Sequence, residues 1–384
     1  MLRHVVLLSL ALSFAAIGAE EPATITVQKG AQLNAHISGI SGGDGAKATS
    51  VLSNDLTLSS AFTIGSESAA NFVISGSESG GQLQGRVVDR SGGVVLEKSY
   101  NGDVRSAVHQ FADDIVETVT GNPGFATTKL AFVSNSTGKK EIYTSDYDGA
   151  NVRQLTRDGG ISVSPSLSPN GRQLLYTGYQ SGYADIYRID LGSGARNRVV
   201  KSPGTNSGAS FSPSGGSFAA TLSKDGNPEL YVVGLGGGGG KRLTNTKNSE
   251  SSPSFSPDGD EIVYSSDVSG QPQLYRISAS GGAGSKLDAG YGYCTEPSWS
   301  PDGKKIAFNM RQNGNFAVAI YNLGSGNTRV VTSGDDAEDP TWARDSRHLF
   351  FAQDRAVYLL DVQTGKQVKV ISGLGKISEP SASR

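Results

Sequence analysis

Few stretches of this 384-residue chain place reactive residue types at spacings that could do chemistry. Gly39, Ser41 and Gly43 satisfy G-x-S-x-G, the pattern that exposes a serine nucleophile on a sharp strand-to-helix turn. The run reads as a glycine-rich loop without a sheet of α/β-hydrolase length around it, so it is taken as a chance match. Gly240 and Lys241 imitate a phosphate loop, but Leu235 stands where glycine is required and Arg242 replaces Ser or Thr. Asp146, Asp148 and Gly149 imitate a calcium loop, yet its first position is Thr144 and its twelfth Leu155, so a turn is expected. His36, His109 and His348 show none of the spacings typical of zinc. His109 reads as a boundary residue on a helix. Cys294 is the single thiol, which rules out an internal disulfide and suggests a structural role beside Tyr293. A Ser-His-Asp triad can assemble from distant residues. With no nucleophile motif, the expectation is a protein that is not an enzyme and has no catalytic residues, metal site or cofactor.

Composition narrows the class. Glycine numbers 51, charged residues are only 18%, and 14 Tyr, 13 Phe and 2 Trp are too many for a disordered chain. A net charge of −2 argues against nucleic acid as a partner. At the N-terminus, Arg3 and His4 precede an apolar run from Val5 to Ile17, and small residues follow up to Ala19. This reads as a secretory signal peptide over residues 1–19, too short to span a bilayer. The expected mature chain is exported, soluble, monomeric and not inserted in a membrane.

The elements that must position any site are set by an internal repeat. PSLSPNG at 165–171, GASFSPSG at 208–215, PSFSPDG at 253–259 and PSWSPDG at 297–303 are copies of one motif. Their second prolines, Pro169, Pro213, Pro257 and Pro301, fall 44 residues apart, and a degraded copy, PTWARDS at 340–346, follows. Tyr143, Tyr187, Tyr231 and Tyr275 keep the same interval, as do Leu155, Val199, Leu243 and Leu287. Four short strands per period without an intervening helix is the spacing of a β-propeller blade. Third-strand cores at Tyr143, Tyr187, Tyr231, Tyr275, Val318 and Tyr358 count six blades. The chain's last residues resemble the start of the inner-strand motif, so they should complete the first blade and remove an open edge. The fold class is therefore mainly β: a six-bladed propeller over residues 125–384, preceded by a small α/β domain over 20–124. In that domain a helix is expected from Asp103 to Val119, stopped by Gly121 and Pro123.

The residue before each inner-strand motif is Ser164, Gly208, Ser252, Glu296, Asp339 or Glu379. One such position per blade should form a ring around the channel. Its three carboxylates would repel one another unless a cation or a basic partner sat there.

The signal peptide, the α/β domain and the P-x-[FW]-S-P-D-G turns together resemble the TolB family, the periplasmic component of the Tol–Pal envelope system. The stretches 53–62, 104–121, 129–133 and 145–149 carry the likeness within and between the two domains. The fifth blade counted by this motif departs from it, with Ala343, Arg344, Asp345 and Ser346 in place of Ser-Pro-Asp-Gly. The polyglycine run at 236–240 is also unusual. The resemblance implies a periplasmic adaptor that binds the peptidoglycan-associated lipoprotein Pal through its propeller face. By position this points to Thr205, Gly208, Ser251 and Ser252, then Thr295 and Glu296, with Asp339 and Glu379 closing the rim. It also implies that Thr24, Ile25, Thr26 and Val27 meet a TolA-like inner-membrane protein. The output would be outer-membrane integrity and invagination during cell division. An exported propeller hydrolase and a ligand-binding propeller stay open as alternatives; the latter would show exposed aromatics at the mouth, whereas most aromatics here fall at strand-core positions.

Overall fold

The computed structural model describes residues 32–312, 314–332 and 336–384; Thr24, Ile25, Thr26, Val27 and the expected signal peptide at 1–19 lie outside the described residues. The N-terminal domain runs β1 (Leu33–Ser41), α1 (Gly45–Leu58), β2 (Phe62–Ile64), β3 (Phe72–Ser79), β4 (Gln82–Asp89), β5 (Val94–Asn101) and α2 (Val104–Thr120). Its five strands pair in the order β2-β1-β3-β4-β5, with β1 parallel to both neighbours. Helix α2 lies close to where the sequence put it. Asp103 caps it by accepting from Ser106 N at 3.1 Å, and left-handed Gly121 ends it. Helix α1 was not anticipated. It buries Ala48, Val51, Leu52, Asp55 and Leu56 on one face, but the serines, threonines and asparagine between them are weak helix formers. Gly39 and Ser41 belong to β1, so the expected glycine-rich loop is instead a strand end. Ser41 donates to Gly76 O at 3.4 Å.

Six four-stranded sheets follow. The inner strands of blades 2 to 6 are Ser162–Leu167, Asn206–Phe211, Glu250–Phe255, Cys294–Trp299 and Glu338–Trp342. The last strand, Ile377–Ala382, pairs antiparallel with Lys129–Ser134 as the inner strand of blade 1, so the chain's end closes the circle. The degraded turn at 343–346 thus belongs to blade 6.

Apolar layers between blades hold them together: Leu175 and Ile186 of blade 2 pack with Phe211, Phe218 and Tyr231 of blade 3. Turn glycines let the blades approach closely. Gly303 has φ +73°, and a Cβ there would meet Pro257 of the previous blade at 3.3 Å. The polyglycine run has the same cause, since a Cβ on Gly237 would lie 2.2 Å from Val199 O. The lone thiol, Cys294, is buried among apolar neighbours, and that burial pushes it up to about 12.

Candidate functional site

Each inner strand breaks register at the ring residue and the residue after it, which is proline in five blades and Ala209 in blade 3. Proline has no N–H for the ladder, so the strand bulges there. All six ring residues, Ser164, Gly208, Ser252, Glu296, Asp339 and Glu379, take left-handed backbone with φ of 52–62°. Only Gly208 adopts this freely; each of the other five costs about 1–3 kcal/mol. The ring lines one end of a channel of about 850 Å³. Antiparallel strands place the turns between second and third strands on this same face, and those between third and fourth strands on the other.

The bulge leaves the ring amides off the ladder, and the preceding blade receives four of the six. Thr177 Oγ1 accepts from Gly208 N at 3.3 Å, and Asn309 Oδ1 from Asp339 N at 3.0 Å. Thr177 and Asn309 are the fifth residues of their second strands. In blades 6 and 1 that position is apolar, Ala352 and Val133. There the ring carboxylate takes over: Asp339 Oδ2 accepts from Glu379 N at 2.8 Å, and Glu379 Oε2 from Ser164 N at 2.6 Å. Glu296 accepts from Asn309 Nδ2. Each of the three ring carboxylates thus accepts a hydrogen bond within the fold, yet they still face one another. Burial, and next Asp339, raise Glu296 well above the usual carboxylate range and raise Glu379 as well. Lys140 Nζ stands 3.9 Å from Glu379.

The remaining predicted partner residues surround the ring. Thr205 and Ser251 are exposed and Thr295 half-buried. Sequence reasoning missed the apolar side chains on this face. Ile161, Tyr179 and Tyr183 are exposed beside the channel, Tyr183 by 72%, and Tyr179 N donates to Ile161 O at 3.0 Å. Val268 projects from the second-to-third turn of blade 4. These aromatics sit in a hairpin tip outside the strand-core columns, so the period gave no sign of them.

The opposite face carries the N-terminal domain. His109, expected at a boundary, is only 2% exposed. Its Nδ1 donates to Asp55 Oδ2 at 2.7 Å, and its Nε2 lies 3.8 Å from Asp146. Burial works against its charge, but Asp146 and Asp55 outweigh that and hold it up to about 9. Asp146 receives Arg105 at 2.6 Å, Lys129 at 2.5 Å and Asn151 at 2.8 Å. Although buried, it is held well below the usual carboxylate range, His109 having the largest lowering effect. Asp148 pairs with Arg105, so the calcium-like turn is neutralised by the protein's own cations. The altered turn of blade 6 docks here too. Arg344 donates to Thr127 Oγ1 at 3.0 Å, Arg347 to Ser60 O at 3.4 Å, and His348 stacks on Phe125 at 4.4 Å. His36 lies elsewhere, with Nδ1 2.9 Å from Gly65 O. Among the described residues, no group of three or more His, Cys, Asp or Glu could hold a metal, and no helix is long and apolar enough to cross a membrane.

Fold and site together define a six-bladed β-propeller with a strained ring at one mouth and an α/β domain on the opposite face. Residues 116–384 match the family model described as TolB beta propeller domain, and the chain belongs to that family. It is 51% identical over 80 residues to the Tol-Pal system protein TolB of Geobacter sulfurreducens, covering 20% of this chain and 18% of that protein. Identity to the protein TolB homolog of Chlorobium chlorochromatii is 41% over 109 residues, 27% of this chain and 25% of the relative. These alignments thus span about a fifth to a quarter of the relatives' length. The crystal structure of TolB from Acinetobacter baumannii matches 92% of this chain and 97% of its own at a TM-score of 0.81 and 23% identity, which shows the fold. These relatives are named as a Tol-Pal system protein and a TolB homolog.

Proposed function

We propose that this protein is the periplasmic adaptor of a Tol–Pal system. Its mouth face binds a Pal-type peptidoglycan-associated lipoprotein, and the segment Thr24, Ile25, Thr26 and Val27 engages a TolA-like inner-membrane protein. The link supports outer-membrane integrity and invagination during division. One observation carries the reading: the face opposite the docked α/β domain combines five strained non-glycine ring residues with exposed Ile161, Tyr179, Tyr183 and Val268. Such strain and apolar exposure on a rigid propeller suit a binding surface. Thr205, Gly208, Ser251, Ser252, Thr295, Glu296, Asp339 and Glu379 are its proposed rim.

Calorimetric titration of the mature chain with the soluble lipoprotein domain from the same organism tests this. Ser251→Arg with Thr295→Arg is the informative variant, because neither residue answers a ring amide. Saturable one-to-one binding is expected, weakened at least tenfold in the variant. No binding at the highest usable concentration would discard the adaptor reading. It would favour the ligand-binding propeller, for which the tyrosines beside the channel speak.

A further inference from the structure

Blades 2 and 3 are tied by a polar triad with a buried acid and amide. Its positions recur between blades 3 and 4 with glutamate in place of both Asp and Asn. In the first triad Arg198 Nη1 pairs with Asp185 Oδ2 at 3.0 Å, and Asn206 Nδ2 donates to Asp185 Oδ1 at 3.3 Å. One repeat later the positions hold Glu229, Arg242 and Glu250. Arg242 Nη2 pairs with Glu229 Oε1 at 2.8 Å. Glu250 N donates to Pro228 O at 3.0 Å as Asn206 N donates to Ala184 O at 3.1 Å, so the backbone sets both side chains alike. An amide brings its own donor, whereas a carboxylate brings none.

Glu229 and Glu250 are 0% and 1% exposed and meet at Thr246, whose N–H donates to Glu229 and whose hydroxyl donates to Glu250. Glu229 Oε1 accepts from Thr246 N at 2.7 Å and Asn227 Nδ2 at 3.2 Å. Glu229 Oε2 is buried with no hydrogen bond among the described residues, while, against the effect of burial, the Thr244 hydroxyl nearby lowers Glu229. Glu250 Oε1 and Oε2 accept from Thr246 Oγ1 at 3.0 and 3.2 Å, and Oε1 from Ser266 Oγ at 2.9 Å. The ionisable groups around the pair are Arg242, Asp225 and Tyr231 from blade 3 and Tyr264 from blade 4. Arg242 balances one carboxylate, so the second needs a proton.

We propose that Glu250 is a neutral carboxylic acid whose O–H donates to Glu229 Oε2, doing for blades 3 and 4 what Asn206 does for blades 2 and 3. Loss of that proton loosens the strand entry at 249–252 and weakens partner binding at the mouth. The second clause rests on the proposed function, because Ser251 and Ser252 directly follow Glu250 on the proposed rim. Burial, and then Glu229, push Glu250 up to about 7 from 4.5, so the bond opens across neutral pH. Folded protein holds this proton between about 4.5 and 7 where unfolded chain has lost it. Stability therefore falls with rising pH in that window, and the unfolding constant rises by up to about tenfold per pH unit.

Side-chain carboxyl NMR on the full mature chain, beside Glu250→Gln and Glu250→Asn, tests the proton bond. Lipoprotein affinity at acid and mildly alkaline pH tests its effect on the rim. A carboxyl titrating near neutrality should vanish in both variants. Affinity should fall several-fold with rising pH in the unmodified protein and stay flat in the variants. A Glu250 that titrates with ordinary glutamates, or variants that keep the original pH dependence of affinity, would overturn the proposal. If nothing binds the lipoprotein at any pH, the proposed function and its regulation fall together. The NMR titration still decides the interblade bond by itself.

Discussion

The two faces of the propeller satisfy their buried polar groups in different ways. At the mouth, four of the six stray backbone amides each meet one acceptor from the blade before: Thr177, Asn309, Asp339 or Glu379. At the domain seam, full charges gather in multiples, with Asp146 facing Arg105, Lys129, Asn151 and His109, and Asp55 facing His109 and Tyr147. The 44-residue period survives where blades meet other blades. It breaks at 343–346, where blade 6 meets a domain that does not repeat. The departure at 343–346 thus marks a contact with something outside the repeat, and a buried cluster of charges costs more to disturb than a single stitch.

The largest effect should come from removing the charge at the centre of the seam. Asp146→Ala leaves Arg105, Lys129 and His109 partly buried without their shared counter-ion, and should destabilise the fold by about 3–5 kcal/mol. Chemical denaturation measures it. A loss below about 1 kcal/mol would put the seam's energetics on a level with the mouth's.

Next in size is a dependence on alkaline pH. His109 is held up to about 9 in the folded chain against 6.5 when free. Its contribution is therefore complete below about 6.5 and is lost as pH rises through 9. The loss should reach roughly 3–3.5 kcal/mol at about 1.4 kcal/mol per unit. In unfolding measured from pH 6 to 10, His109→Gln should flatten this slope while mouth variants keep it. An unchanged slope in His109→Gln would assign the titration to another group.

Much of the mouth was legible from the sequence, because proline, Asp-Gly turns and apolar columns act locally and repeat. The six blades, the closing strand and the ring positions all follow from that spacing. The seam was not legible: Asp55 and His109 lie 54 residues apart and meet only when α1 packs on α2. Helix α1 itself hid behind weak helix formers, held by burial of one face rather than by propensity. The carboxylates at the ring were visible, but not their task. Two of them replace hydroxyl and amide acceptors that Val133 and Ala352 cannot supply.

That substitution pattern yields the smallest predicted effect. Asp339→Ala removes the acceptor for Glu379 N and should cost about 1–2 kcal/mol. Asp339→Asn keeps a carbonyl oxygen in place and also relieves Glu296 of a neighbouring charge, so its cost should stay within about 0.5 kcal/mol. Adding Ala352→Thr to Asp339→Ala sets a hydroxyl where Thr177 stands in blade 2, and should recover most of the loss. If the hydroxyl restores nothing, Asp339 does more at the ring than receive an amide. The charge itself would then be what the mouth requires, which separates a carboxylate kept for a partner from one kept for the fold.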